Sequence, residues 1–228
     1  MLRTILLDLD DTLLDFGAAE DVAIRKTFAQ LGIEPMQTVL TRYRELNMQQ
    51  WEAYERGEIT RDTVLTRRFA LLFAELGLAL DAQAAEDIYR GYLGIGHYFV
   101  EGAVALLEAL YRDYNLYIAS NGVAATQDSR LKSAGIEKYF KGIFISETTG
   151  FHKPERGYFD YCFAHIPDFN PQEAIMVGDS LTGDIRGGIN AGIQTCWFNP
   201  HRKPRLKDIV PDYEVHSLDE LQRLVRTI

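Results

Sequence analysis

Two kinds of apolar pattern alternate along the chain. Short unbroken runs bounded by polar residues occur at Ile5-Leu6-Leu7, Leu116 to Ser120, Ile143 to Ser146, Ala174 to Val177 and Thr195 to Phe198. Runs of this length predict strands covered on both faces, as in a parallel sheet. Between them the apolar residues fall at helical spacing: Val104, Leu107 and Tyr111; a helix around Leu131 that stops at Gly135; another through Phe159 and Ile166. Ser217 and Glu220 form a capping-box pair ahead of Leu221, Leu224, Val225 and Ile228, which predicts a closing amphipathic helix. Strand and helix in alternation predict an α/β fold with a doubly wound parallel sheet.

From about Phe16 to Tyr98 the pattern is helical throughout. Ile24, Phe28 and Leu31 precede Gly32; Leu40, Tyr43, Asn47, Trp51 and Tyr54 share one helix face. Thr60 is placed to cap a helix carrying Leu65, Phe69, Leu72 and Leu76, and Asp81 one carrying Ala85, Ile88, Tyr89 and Tyr92. The expected organisation is an α/β core of residues 1–15 and 100–228, interrupted after its first strand by an all-helical domain of residues 16–99.

Composition narrows the partners. The 228 residues are 46% apolar and 25% charged, which are globular proportions and ample for a core. A formal net charge of −9 argues against a nucleic-acid polymer or an anionic membrane as partner. No run of about 18 apolar residues spans a membrane, and the apolar start is cut short at Asp8, unlike a signal peptide. Cys162 and Cys196 belong to no metal-ligand cluster and suit a reducing compartment. A cytoplasmic protein is expected, with Cys162 packed beside Phe159, Phe163 and Ile166.

Polar side chains gather where the predicted strands end. The first run gives way to Asp8, Asp10 and Thr12, the second to Ser120-Asn121-Gly122; Lys153 follows the third, and the fourth delivers Gly178-Asp179-Ser180 and then Asp184. Ligands of open α/β sheets bind outside the carboxyl ends of the strands, so these groups converge if the strands are neighbours. A calcium loop is excluded, because Thr12, Leu13 and Ala19 stand where it needs an acid or amide, a glycine and a bidentate glutamate. The carboxylates suit Mg²⁺ with retained waters, beside which a phosphoryl group can sit. Taken singly, Lys153 also fits a solvated loop, Ser120 a turn, and Asp184 the first turn of a helix. An aspartate attacking phosphate needs compensating charge: at about 4 Å, two unit charges repel by about 4 kcal/mol at an effective dielectric near 20. A dianion roughly doubles that, which is close to six decades of rate.

Together the four stretches resemble the signatures of the haloacid dehalogenase-like hydrolase superfamily, in the family's order: Asp8-Leu9-Asp10-Asp11-Thr12, Ile118-Ala119-Ser120, His152-Lys153-Pro154, and Gly178-Asp179-Ser180 to Asp184. The resemblance implies a Rossmann-like core with an inserted helical cap and a Mg²⁺ cofactor. By the same likeness Asp8 is the nucleophile that takes the phosphoryl group as an aspartyl-phosphate, and Asp10 the general acid and then base. It implies metal ligation by the side chains of Asp8 and Asp179 and by the backbone carbonyl of Asp10. Asp184 would support metal waters or Lys153, with phosphate contacts from Thr12, Ser120, Asn121 and Lys153. Because the dehalogenase members need no proton donor at the place of Asp10, phosphate-ester hydrolysis is the expected reaction.

Specificity is expected from the cap. Asn47, Trp51, Tyr54, Gly57, Ile59, Thr60 and Arg68-Phe69, with Gly187-Gly188-Ile189-Asn190-Ala191-Gly192 and Thr195-Cys196-Trp197, are similar to the pyrimidine 5′-nucleotidase branch. Its members remove phosphate from UMP, dUMP, dTMP and abnormal pyrimidine nucleotides, so the implied partner is a small phosphate ester, a pyrimidine nucleotide. An aromatic cap face would stack a base and Asn47 would pair with its edge; Trp51 and Tyr54 also fit a packed cap core. Val100-Glu101-Gly102 departs from the family, many capped members having Pro before the Gly. Hydrolysis of phosphoglycolate or a sugar phosphate and a phosphomutase activity remain alternatives. A receiver-like phosphoacceptor module is an alternative of another class, though it leaves the helical insertion unexplained.

Overall fold

The computed structural model describes residues 2–228. Its chain divides into two compact units: the described residues up to Phe16 with His97–Ile228, and Gly17–Gly96. The first contains β1 (Thr4–Leu7), and α1 (Phe16–Gln30) opens the second, which continues with α2 (Gln37–Glu55), α3 (Arg61–Glu75) and α4 (Ala82–Leu93). Back in the first unit follow α5 (Ala103–Leu110), β2 (Asn115–Ser120), α6 (Ala124–Ala134), β3 (Gly142–Ile145), α7 (Ser146–Thr149), α8 (Arg156–Ala164) and β4 (Ala174–Gly178). The chain closes with α9 (Arg186–Ala191), β5 (Gln194–Phe198), β6 (Tyr213–Val215) and α10 (Leu218–Val225).

All strand pairings are parallel, in the order β3-β2-β1-β4-β5-β6. β1 is buried along its whole length because it pairs on both edges and is covered on both faces. Its alternation sends Ile5 and Leu7 into one core with Ile118, Val177 and Leu221, and Leu6 into another with Tyr117, Met176 and Phe159. Register then fixes the site: Leu7 lies opposite Ile118 on one side and Val177 on the other. The ladder carries on as Asp8 N–H donates to the Val177 carbonyl at 2.9 Å. Asp8 therefore emerges level with the ends of β2 and β4.

The second unit is helical, with an aromatic interior. Tyr43 has the rings of Phe28, Phe69 and Tyr89 within 6.0 Å. The expected caps form: Thr60 Oγ1 accepts from Thr63 N–H, and Asp81 Oδ1 from Gln83 and Ala84. At the chain's end Ser217 Oγ accepts from Glu220 N–H, while the Glu220 carboxylate reaches back to His216 N–H. Cys162 is buried. The register of α5 differs from expectation: Leu106, Leu107 and Leu110 face inward and Val104 is exposed, since the helix starts at Ala103 behind the left-handed Gly102. Ser146, expected to end β3, instead opens α7. Among the described residues no helix is long and apolar enough to cross a membrane.

Candidate active site

Asp8 is 7% exposed, and each of its oxygens is engaged. Lys153 Nζ donates to Oδ1 at 2.8 Å and the Thr12 hydroxyl to Oδ2 at 3.2 Å. Lys153 is itself buried and also donates to Asp184 Oδ1 and to the Ala119 carbonyl, both at 2.6 Å. Its three hydrogens thus have three acceptors. Asp184 sits in a π-turn (Leu181–Ile185) whose first residue follows Ser180, and its Oδ2 accepts from Ser180 N–H at 3.1 Å. Gly178 makes room for this carboxylate, which a Cβ there would strike.

Asp179 completes the acidic group. Asp8, Asp179 and Asp184 each offer a carboxylate oxygen, and these oxygens lie within 4.8 Å of one another. The Asp179 backbone carbonyl accepts from Trp197 Nε1 at 2.8 Å, and Lys203 Nζ stands 3.6 Å from its carboxylate. Burial pushes the Asp8 carboxyl up to about 7, against the pull of Lys153 and with the help of Asp184 and Asp10. Burial, then the charges of Asp8 and Asp184, raise Asp179 well above the usual carboxylate range. Burial works against the Lys153 charge, yet Asp184 and Asp8 outweigh it and hold the ammonium above its ordinary range. One buried lysine facing three carboxylates leaves negative charge in excess, which hard oxygen donors share with a divalent cation. The residues fit Mg²⁺ on this ground.

The other expected residues are placed as follows. Thr12 is fully buried and its hydroxyl proton goes to Asp8, so in this arrangement it orients that carboxylate. Asn121 pairs both ways with Lys153: Oδ1 accepts from its N–H and Nδ2 donates to its carbonyl, each at 2.9 Å, joining the loop after β2 to the lysine. Ser120 is buried, and its Oγ accepts from Gly122 N–H at 3.1 Å. Asp10 turns its carboxylate toward α6, where Arg130 Nη1 donates to Oδ1 and Gln127 Nε2 to Oδ2.

Asn47 is not the free amide expected of a base-reading residue. It is buried, donating to Glu20 Oε1 at 2.7 Å and accepting from Arg68 Nη1 at 2.6 Å, and Arg68 in turn pairs with buried Glu86 at 2.6 Å. Tyr54 is buried too, while Trp51 is partly exposed, with its ring 5.8 Å from that of Tyr54. Gln127 and Arg130 escaped the sequence reading, since polar residues on a helix suggest a solvated face. A signal existed: Gln127 stands four residues before buried Leu131, on the same stripe.

A parallel sheet that brings a buried aspartate, a buried lysine and two further aspartates to the carboxyl ends of adjacent strands places this chain among the doubly wound α/β enzymes. More particularly, it belongs to the haloacid dehalogenase-like hydrolase family, whose description matches residues 2–192. It is similar to the HAD-hydrolase YfnB of Bacillus subtilis, 44% identical over 98% of this chain and 95% of that one. A crystal structure of YfnB bound to magnesium, which reveals interdomain movement, matches with a TM-score of 0.95 at 43% identity, covering 98% of each chain. Two further relatives are pyrimidine 5′-nucleotidases: PynA of Streptococcus pneumoniae, 38% identical over 96% of this chain and 93% of its own, and YjjG of Escherichia coli, 30% identical over 97% and 96%.

Proposed function

We propose that this hydrolase is a Mg²⁺-dependent phosphomonoesterase that works through an aspartyl-phosphate on Asp8, with pyrimidine nucleoside 5′-monophosphates as its substrate class. The observation that carries the reading is the carboxylate of Asp8, at the end of the central strand, bonded to Lys153 and within 4.8 Å of Asp179 and Asp184. The relatives named pyrimidine 5′-nucleotidases, matched over almost the whole chain, support the substrate class.

In this reading an Asp8 oxygen attacks phosphorus and the ester P–O bond breaks. Asp10 gives its proton to the departing oxygen. The freed Asp10 carboxylate then takes a proton from water, whose oxygen attacks the aspartyl-phosphate, releasing phosphate and restoring both aspartates. Lys153 keeps Asp8 directed and offsets its charge, and the Ser120 hydroxyl donates to a phosphoryl oxygen. The side chains of Asp8 and Asp179 and the Asp10 carbonyl would hold Mg²⁺, which would supply the remaining positive charge.

The test is phosphate release from UMP, dUMP, dTMP, purine nucleotides, sugar phosphates and phosphoglycolate, with Mg²⁺ and with EDTA. Release is expected with Mg²⁺ alone, fastest on the pyrimidine nucleotides, abolished in Asp8→Asn and reduced about 100-fold or more in Asp10→Asn. Activity persisting in Asp8→Asn would remove the nucleophile; a preference for sugar phosphates would overturn the substrate class.

A further inference from the structure

We infer that Gln127 and Arg130 form a positioning clamp that orients the Asp10 carboxylate and the Ser120 hydroxyl as one unit for phosphoryl transfer. The inference rests on the reading of Asp10 as the proton donor. The two residues stand three apart on α6 and therefore share a face, and each is 1% exposed. Arg130 Nη1 donates to Asp10 Oδ1 and, at 3.1 Å, to Gln127 Oε1. Gln127 Nε2 donates to Asp10 Oδ2 at 2.6 Å and to Ser120 Oγ at 2.9 Å.

Hydrogen-bond chemistry leaves this arrangement one sense. A guanidinium only donates, so the amide oxygen of Gln127 must face Arg130, and its two N–H hydrogens must face Asp10 and Ser120. Asp10 thereby receives a donor on each oxygen, which fixes the plane of its carboxylate. Ser120 Oγ accepts from Gln127 and from Gly122 N–H, occupying both lone pairs, so the serine's own proton is the group left to donate. One glutamine amide thus sets the direction of the Asp10 carboxyl, whose second lone pair on either oxygen remains to carry the proton it transfers, and of a phosphate-holding hydroxyl.

The surroundings are built around this pair. A Cβ on Gly122 would meet Gln127 Nε2 at 2.5 Å and Cδ at 2.8 Å, so glycine there leaves space for the amide. The start of α6 is anchored by Glu147, whose Oε2 accepts from Ala124 N–H at 2.6 Å. The Arg130 guanidinium lies 5.8 Å from the centre of the Phe16 ring. A helix that only had to cover a sheet would bury apolar side chains at these positions; a desolvated guanidinium is costly unless its pairing is used. Proton transfer to a leaving oxygen depends on alignment, so misplacing the donor slows that step selectively.

The test compares kcat/KM for two monoesters with Mg²⁺: UMP, whose alkoxide leaving group needs a proton, and 4-nitrophenyl phosphate, whose leaving group does not. This ratio covers the steps up to loss of the leaving group, so the later water step does not enter it. Arg130→Met is expected to lower the UMP value about 100-fold and the nitrophenyl value less than about tenfold, with part of the loss regained in Arg130→Lys. Gly122→Ala, at a backbone position outside the left-handed region, displaces Gln127 and is expected to show the same bias. That variant carries the test should Arg130→Met fail to fold, as judged by its thermal melt. Equal losses on both esters, or none, while Asp10→Asn shows the bias, would overturn the clamp and leave the phosphatase reading standing. Absence of the bias in Asp10→Asn would remove Asp10 as proton donor, and the clamp with it.

Discussion

One ammonium group ties together the carboxylates at the end of β1. Lys153 is 3% exposed and bridges Asp8 and Asp184, so removing it leaves two desolvated carboxylates facing each other. Breaking a buried ion pair from one side costs about 3–5 kcal/mol. Lys153→Met is therefore expected to lose stability on that scale in urea unfolding at neutral pH without metal; an unchanged midpoint would show that the bridge contributes nothing. Lys153 was legible because His152-Lys153-Pro154 resembles a family signature and follows a predicted strand; taken singly it also fits a solvated loop. Arg130 was not, since burial of a charged helix residue depends on a partner 120 positions earlier, and no local pattern announces it. Thr12 and Asn121 were expected beside the acidic group, but the partners their side chains take, the Asp8 carboxylate and the N–H and carbonyl of Lys153, emerge only from packing.

Among the elements, α2, α3 and α4 are joined by a polar chain inside an aromatic core. Asn47, Arg68 and Glu86 come from three different helices, and the Arg68 guanidinium lies 4.8 Å from the centre of the Tyr89 ring. Burial raises Glu86 above its ordinary range, and Arg68 pulls it back. Arg68→Met is expected to cost about 3–5 kcal/mol, while adding Glu86→Leu recovers most of the loss, because two apolar side chains of similar volume leave no lone charge. A double variant less stable than Arg68→Met would refute this. The network also explains why the helix stripe misled at Asn47: helical spacing records that a position faces inward, not whether the inner face binds a base or a neighbouring arginine. Strands were easier to read than helices here. β1, β2, β4 and β5 are continuous apolar runs, whereas β6 is a three-residue edge strand and α7 a four-residue turn, both too short for periodicity to register.

For the molecule as a whole, the acidic site ties stability to pH. Asp8, pushed up to about 7, and Asp179, raised by burial, retain protons in the folded chain where the unfolded chain has released them. From about pH 4 to 7 the folded state therefore binds more protons, and the stability of the metal-free protein falls as pH rises, by an amount on the order of a few kcal/mol. Below that window lowered carboxylates such as Asp21, held down by Arg25, act in the opposite sense. A divalent cation held by these carboxylates would compete with those protons, so on the proposed reading the stabilising effect of added Mg²⁺ is expected to grow from pH 6 to pH 8 in thermal melts; a larger metal effect at pH 6 would contradict that reading. The sheet order was beyond the sequence, since apolar runs identify strands without saying which become neighbours. That order carries a consequence for biosynthesis. Thr4–Leu7 must wait for partners at 115–118 and 174–177, so a nascent polypeptide leaving the ribosome carries this strand short of both partners until residue 177 has been made. The helices between 17 and 96 are made between that strand and its partners, and they form a compact unit of their own.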